Sequence, residues 1–434
     1  MTAQAQAVTE LKVESYTDVV GPEVPMLGPV ADGGVLIATT ANGCWGPMIT
    51  PEMKSGHEVT QPVAVAGAQV GDAVALTIRR VVVRSKATAS GTDTGIPVRC
   101  HGDPYVAAVC PSCGKKNPPS YVKGTGLQAI RCKECDAEVL PFNVPNGYTM
   151  VFDEGRAIGL TVNKAVAERI ALNSEDYSGL PPASQQHSVL VLALADLSGI
   201  LTRVRPMIGN IGTLPAVTMP SSHNAGDFGQ FLVDAPHDLG LPQAMLGQRT
   251  DGHMDVDSVG EGTVVICPVK VPGAGIYVGD VHAMQGDGEI AGHTTDVAAE
   301  VVLQVSLIKG LDIDGPMLLP RKEDLPPLAR PYSKDELAKG SQLAQALGVE
   351  LQGTVVPVQV VGSGADLTAA VSNGIERLAK VAGTSTEEIR NRITITGGIE
   401  IGRLPGVVQV TALLPLARID QLGLGEIYRR QYGL

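Results

Sequence analysis

Thr263-Val264-Val265-Ile266-Cys267, then Pro272, Gly273 and Gly275, then Ile276-Tyr277-Val278: this run reads as two short β-strands joined by a proline-glycine turn. Polar clusters flank it. The first is Asp251-Gly252-His253-Met254-Asp255-Val256-Asp257; the second is Gly279-Asp280-Val281-His282-Ala283-Met284-Gln285-Gly286-Asp287-Gly288-Glu289. The arrangement predicts both clusters at one end of a sheet. Imidazole and carboxylate groups gathered there suit a divalent metal of the zinc class, and a spare carboxylate can carry protons beside it.

The rest of the chain agrees with a β scaffold. Its 434 residues are enough for two or three domains. With 51 Gly, 30 Pro and many Val-rich runs, the composition favours short strands joined by turns. A net charge of -12 argues against nucleic acid as a partner, because phosphate binding needs a positive field. Aromatics at 3% leave few platforms for stacking bases or sugars. Residues 1–16 lack the apolar core of a signal peptide, and no segment reaches the ~20 apolar residues of a membrane span. Seven cysteines do not form a secreted disulfide framework, so the expected compartment is the cytoplasm and no membrane partner is expected.

In residues 19–84 apolar alternation through Val74, Leu76 and Ile78 reads as strand, with a turn at Gly71-Asp72. His57 stands alone there. It reads first as a structural histidine, with a place lining the site as the alternative. Cys44 lacks a motif and is expected to be a small buried hydrophobe.

The most specific local signal is Cys110-Pro111-Ser112-Cys113 followed by Cys132-Lys133-Glu134-Cys135. Two C-x-x-C knuckles at this spacing place four thiolates for a tetrahedral structural zinc, as in a zinc ribbon. All four positions are filled by protein, so such a site holds structure together without doing chemistry. Lys115, Lys116, Lys123, Arg131 and Lys133 make the ribbon locally basic, but the acidic whole argues against a recognition role.

Further on, residues 164–172 predict a short helix and 188–194 a buried strand. Ser221-Ser222-His223-Asn224 lacks a nucleophile elbow and reads as a polar loop. Residues 300–307 alternate as a strand that backs the site. Residues 316–331 hold many prolines among charges and read as a linker. Beyond it Asp366 caps one helix, Thr384-Ser385-Thr386-Glu387 opens another, and 355–361 and 406–415 look like strands. The expected fold is therefore mainly β, sandwich or barrel, with an α+β C-terminal region and an inserted zinc ribbon. The division is 1–100 β-rich, 101–148 ribbon, 149–315 β-rich and catalytic, 316–335 linker, and 336–434 α+β.

Turn formation explains Asp-Gly pairs in the central clusters. Calcium is another reading, since Asp251, Asp255, Asp257 and Glu261 share a loop, although EF-hand spacing is missing. Neither accounts for His253, His282 and His293 in the same company. That density points to a metal-dependent catalytic site.

Residues 279–289 resemble the G-D-x-H-A-x-Q-G-D-G-E signature of the acetamidase/formamidase family at every position. Gly252-His253-Met254-Asp255 is similar to that family's G-N-x-D element. Residues 62–72 resemble its P-x-x-V-x-G-A-x-x-G-D stretch, and 209–216 its G-x-x-G-x-x-P-A stretch. The likeness is densest over 209–308. His253 replaces the family's usual Asn, Thr250-Asp251 replaces its His-Gly, and the cysteine knuckles look like an insertion that many members lack.

The resemblance implies hydrolysis of a small linear amide to carboxylate and ammonia, on a mainly β scaffold and in a homo-oligomer. Combined with the residue reading, it gives a divalent metal, zinc first, held by some of His253, Asp255, Asp280 and His282, with Glu289 or Asp287 moving the proton. The competing expectations are ring opening of a cyclic amide or imide and a non-catalytic, zinc-stabilised binding protein.

Overall fold

The computed structural model describes residues 6–43, 50–54 and 56–434, so Cys44 lies outside the described residues. Val-rich alternation makes the long strands. Ala299–Ile308 turns Val301, Leu303 and Val305 into the core and runs antiparallel to both Leu27–Thr40 and Ala73–Val83. These belong to one mixed sheet of 13 strands. From one edge its order is Met207–Thr213, Ile276–His282, Val63–Val65, Leu27–Thr40, Ala299–Ile308, Ala73–Val83, Val264–Pro268, Met317–Leu319, Val355–Ser363, Val407–Pro415 and Gly398–Arg403. The fold is mainly β, with an α+β C-terminal region, as composition and patterning predict.

The two strands of the opening stretch are present as Val264–Pro268 and Ile276–His282, but they are not neighbours. Four other strands stand between them in the sheet. The polar clusters meet by another route. Met207–Thr213 pairs antiparallel with Ile276–His282, and on its other side Asn210 bridges to His253.

A second sheet joins Ala87–Gly95, Phe142–Phe152, Ile158–Thr161 and Leu201–Arg203. The cysteine segment leaves from Ala87–Gly95 and returns into Phe142–Phe152, the antiparallel partner of that strand. Within the segment a small hairpin pairs Ser120–Val122 with Ile130–Cys132. Residues 188–194, expected as a buried strand, form the 3₁₀ turn Val189–Leu192 instead; the run is fully buried, and an apolar run this short carries no periodicity to separate strand from helix.

The proline-rich stretch at 316–335 also differs from its reading as a linker. Met317–Leu319 is a buried strand pairing Val264–Pro268 on one side and Val355–Ser363 on the other. The C-terminal region thus continues the main sheet. Its helices Leu367–Ala382 and Thr386–Thr396 bury Ile375, Leu378, Ile389 and Ile393 in a shared core with Val358 and Val410. Asp366 caps the first through the Ala369 N–H at 2.9 Å, and Ser385 caps the second through the Glu388 N–H at 3.2 Å. Among the described residues no helix is long and apolar enough to cross a membrane.

Candidate metal and catalytic centre

Ile276–His282 is buried at all seven positions, so Asp280 and His282 lie inside the protein. Asp280 sits at φ 54°, as do Asp251 at 54°, Asp255 at 49° and Glu289 at 41°. A left-handed backbone at four acidic residues is uncommon for L side chains and re-aims each of them. Gly209 lies beside the strand, where a Cβ would stand 2.2 Å from Asp255 Oδ1 and 2.8 Å from Asp280 Oδ2. Only glycine leaves room there for both carboxylates. The backbone of the first cluster is fixed by the same residue, through Met254 N–H and Asp255 N–H to the Gly209 carbonyl at 2.8 and 3.1 Å.

The side chains converge. His253 Nε2 lies 2.9 Å from Asp255 Oδ2 and 3.5 Å from Asp280 Oδ2, and His57 Nδ1 is 3.5 Å from the same Asp280 oxygen. His282 Nε2 stands 3.2 Å from Asp280 Oδ1 and 3.2 Å from Asp296 Oδ1. Two three-residue sets that share Asp280 have ligand atoms close enough for a metal ion: His57, His253 and Asp280, and Asp255, Asp280 and His282. Most of these approaches lack hydrogen-bond geometry. Among the described residues, His253 Nε2, His282 Nε2, Asp255 Oδ1, both oxygens of Asp280 and both oxygens of Glu289 are buried without a hydrogen-bond partner. Buried polar groups are ordinarily satisfied, so a group of lone pairs aimed at one place fits a cation.

The far ring nitrogens are tied down. His253 Nδ1–H donates to the Ser222 carbonyl at 2.5 Å, and His282 Nδ1–H to Gln285 Oε1 at 2.9 Å. Gln285 in turn donates to the carbonyls of Asp255 at 2.5 Å and Gly402 at 3.2 Å. This leaves the Nε2 edge of each ring facing the carboxylates, the tautomer arrangement that metal-binding imidazoles use.

Electrostatics follow from burial and pairing. Burial drives His57 down to about 3, against the pull of Asp280. Burial also opposes charge on His282, but Asp280 and Asp296 outweigh it and hold the ring well above its ordinary value. For Asp255 burial works upward, and His253 and Arg403 together overturn it, keeping the carboxylate below its usual range. Glu289 goes the other way: burial, reinforced by Asp255, pushes it well above an ordinary glutamate. Asp296 rises to about 6 through burial.

Of the residues singled out from sequence, His57, His253, Asp255, Asp280, His282 and Glu289 come together. Asp287 does not. Residues 286–292 turn back without forming a strand, and Gly288 pairs with Arg403 while the Leu404 N–H donates to the Gly288 carbonyl at 2.7 Å. Glu289 therefore points inward, and Asp287 is exposed among Asp257 and Glu400. His293 is apart from both sets, with Nε2 2.6 Å from Asp93.

Sequence reasoning missed Arg403, Asp227, Asp296, Asp103 and His223. Arg403 is buried, holds Asp227 with two nitrogens and reaches Asp255 with the third. Its guanidinium also stands 5.0 Å from the Phe228 ring centre. None of the five lies in a patterned stretch except His223, in the run read as a polar loop. That run is buried, because Ser221–His223 forms a 3₁₀ turn under the centre.

The sulfurs of Cys110, Cys113, Cys132 and Cys135 lie within 4.8 Å of one another, with Cys110 to Cys135 at 3.5 Å and Cys113 to Cys132 at 4.0 Å. A tetrahedral zinc with Zn–S of about 2.3 Å sets its sulfurs about 3.8 Å apart, so the group can hold one. By contrast, a cavity of about 630 Å³ between the hairpin and the helix Lys164–Ala171 is lined by none of the central histidines or carboxylates.

Fold and site define a β-rich protein built around a buried histidine–carboxylate centre whose groups could hold a metal ion. The chain belongs to the Acetamidase/Formamidase family, which it matches over residues 37–421. A recombinant predicted acetamidase/formamidase from Thermoanaerobacter tengcongensis shares the fold, with a TM-score of 0.53 and 18% identity over 96% of this chain and 98% of that one. An acetamidase from Bacillus halodurans is similar to the same degree, with a TM-score of 0.51 and 18% identity over 95% and 99%. A putative formamidase of Schizosaccharomyces pombe is 35% identical over 74 residues, 16% of this chain and 18% of that relative.

Proposed function

We propose that the protein hydrolyses a small linear amide to carboxylate and ammonia at the buried centre. The observation that carries this reading is the convergence of unpartnered ring nitrogens and carboxylate oxygens from His253, Asp255, Asp280 and His282. These residues would hold a divalent cation of the zinc class, with His57 beside them. Once bound, that ion supplies Lewis acidity to the amide carbonyl and lowers the pKa of water.

The protein's own part is proton handling and orientation. Glu289 is buried and unpartnered at both oxygens, and burial raises its affinity for a proton; ionised beside a bound cation, it would take a proton from water and, once protonated, return it to the departing nitrogen. An amide nitrogen leaves poorly unless it is protonated, so this second half needs such a carrier. Arg403 keeps Asp255 ionised and fixed. A structural zinc on Cys110, Cys113, Cys132 and Cys135 belongs to the same reading, as does assembly of several copies. The helix Lys334–Leu347 buries none of its residues and leaves Leu343 and Leu347 63% and 68% exposed, which offers apolar surface for that assembly.

The test is ammonia release over a panel of formamide, acetamide and longer amides, run on protein of measured metal content before and after chelation. The reading expects release that is lost with the metal of the centre and regained on its return. Turnover of cyclic amides alone, without ammonia, would replace it with ring opening.

A further inference from the structure

We infer that the four-cysteine segment is a positioning arm of the buried centre, in which Asp103 fixes His223 and Ser222 and, through the Ser222 carbonyl, the ring of His253. The inference rests on the reading of His253 as a metal ligand.

The connection runs through hydrogen bonds among buried groups. Asp103 Oδ2 accepts from His223 Nε2–H at 2.5 Å, and both side chains are fully buried. With that proton on Nε2, His223 Nδ1 is an acceptor, and Ser222 Oγ–H donates to it at 2.9 Å. The carbonyl of Ser222 accepts the Nδ1–H of His253 at 2.5 Å, which leaves His253 Nε2 turned toward Asp255 and Asp280. The Ser222 carbonyl orients the metal-facing imidazole and fixes its tautomer, and the Asp103 carboxylate, three hydrogen bonds from His253, acts on it by holding Ser222 in place.

The carboxylate at the far end belongs to the inserted segment. Asp103 sits on a loop closed by pairing of Cys100 with Ala108, with the Ala107 N–H donating to the Asp103 carbonyl at 3.0 Å. Two residues after that closure comes Cys110, the first thiolate. The knuckle clamps the loop from its other side: Val109 pairs with Lys116, the Asn117 N–H donates to the Ala108 carbonyl at 2.8 Å, and Asn117 Nδ2 donates to the Val106 carbonyl at 3.0 Å. The same loop makes a second, independent contact. The Tyr105 ring packs 5.2 Å from Phe228, and Phe228 packs 5.4 Å from His253. A zinc that served only its own segment would need neither contact. Here the order of the knuckle is transmitted to a ring of the centre by a charged hydrogen-bond chain and by aromatic packing.

The test uses full-length protein carrying its ribbon zinc, with the affinity of the remaining site for Co(II) measured by chelator competition and the visible spectrum of the bound ion recorded. Asp103→Asn, Cys113→Ser and the double variant are compared with wild type, and thermal unfolding is followed alongside. Asp103→Asn keeps the shape of the side chain, so the fold is retained. Its expected effect is a loss of about tenfold in affinity at the centre, the low end of the range for groups that bond a ligating imidazole directly, with an altered Co(II) spectrum and the ribbon zinc still bound. Cys113→Ser is expected to weaken the centre as well, and the double variant to be no worse than the weaker single, because both act on one element. Should Cys113→Ser be insoluble, Asp103→Asn alone decides. Affinity within twofold of wild type and an unchanged spectrum in Asp103→Asn would overturn the inference, as would strictly additive losses in the double variant. If wild type takes up no metal beyond the ribbon zinc, the reading of the centre itself is what fails.

Discussion

Arg403 grips both carboxylate oxygens of Asp227 inside the protein, Nε to Oδ2 at 2.9 Å and Nη2 to Oδ1 at 2.7 Å. The remaining nitrogen reaches Asp255. One guanidinium at the end of Gly398–Arg403 thus joins the C-terminal region to the polar cluster at 251–257. Its charge is balanced by two carboxylates, each depressed by it against the upward push of burial.

Arg403→Met is expected to leave Asp227 and Asp255 without their cation in a buried setting. Removing one partner of a buried ion group costs about 3–5 kcal/mol. Urea unfolding measures this, and a loss below about 1 kcal/mol would mean that Asp227 and Asp255 are satisfied without the arginine. Arg403→Lys keeps the charge but cannot make the two-pronged contact, so it is expected to recover only part of the loss.

The cysteine cluster gives a second expectation. Cys113→Ser removes one of four thiolates from a closed tetrahedral group, so tightly held zinc should fall by one per chain and Tm should drop. Metal analysis and thermal unfolding check this together. Unchanged zinc content would show that Cys110, Cys132 and Cys135 bind without their fourth member, or that the zinc sits elsewhere.

The pH dependence of metal binding tests His282. Its ring is held well above the ordinary histidine value in the metal-free protein, because Asp280 and Asp296 overcome the effect of burial. A cation at Nε2 must displace that proton. Below the raised value, apparent affinity should therefore climb about tenfold per pH unit and level off above it. Chelator competition from about pH 6 to about pH 8 reads the slope, and a flat profile removes His282 from the ligand set.

What the sequence made legible here follows from how local each signal was. His253, Asp255, Asp280, His282 and Glu289 stand in two short polar runs, and the cysteines carry their own spacing, so each could be found without knowing the sheet order. Met317–Leu319 was hidden because three apolar residues among prolines give no period to count. Arg403 and Asp227 are single charged residues separated from each other by a long stretch of chain, Asp296 stands alone beyond the second polar run although its partner His282 lies in that run, and nothing adjacent marks them as buried. Asp287 failed for a different reason. Side chains two apart share a face only on a strand, and the chain at 286–292 turns, with Glu289 at φ 41°.

Position 253 bears on metal choice. As a ligand, His253 adds a nitrogen donor where the resemblance has Asn. His253→Asn should weaken binding of zinc-like ions and shift relative preference toward harder ions. Competition between Zn(II) and Mn(II), with metal content measured, checks it. Equal preference in variant and wild type would make His253 a neighbour of the ion and not a ligand.

Glu289 tests the chemistry. Its carboxyl is buried without a hydrogen-bond partner among the described residues, and burial together with Asp255 holds it well above an ordinary glutamate. A proton carrier of this kind contributes on the order of 10² to 10⁴ in rate. Glu289→Gln keeps the size and one acceptor oxygen but cannot exchange the proton, so kcat should fall by about that factor while KM changes little. Metal content separates two roles: metal retained with activity lost fits a proton carrier, and metal lost fits a ligand. Asp287→Asn is the matched comparison. Asp287 is exposed among other carboxylates outside the centre, so its variant should stay within a few fold of wild type. Were Asp287→Asn to fall as far as Glu289→Gln is expected to, the inward turn of 286–292 would have to rearrange during turnover, bringing Asp287 to the place Glu289 now occupies.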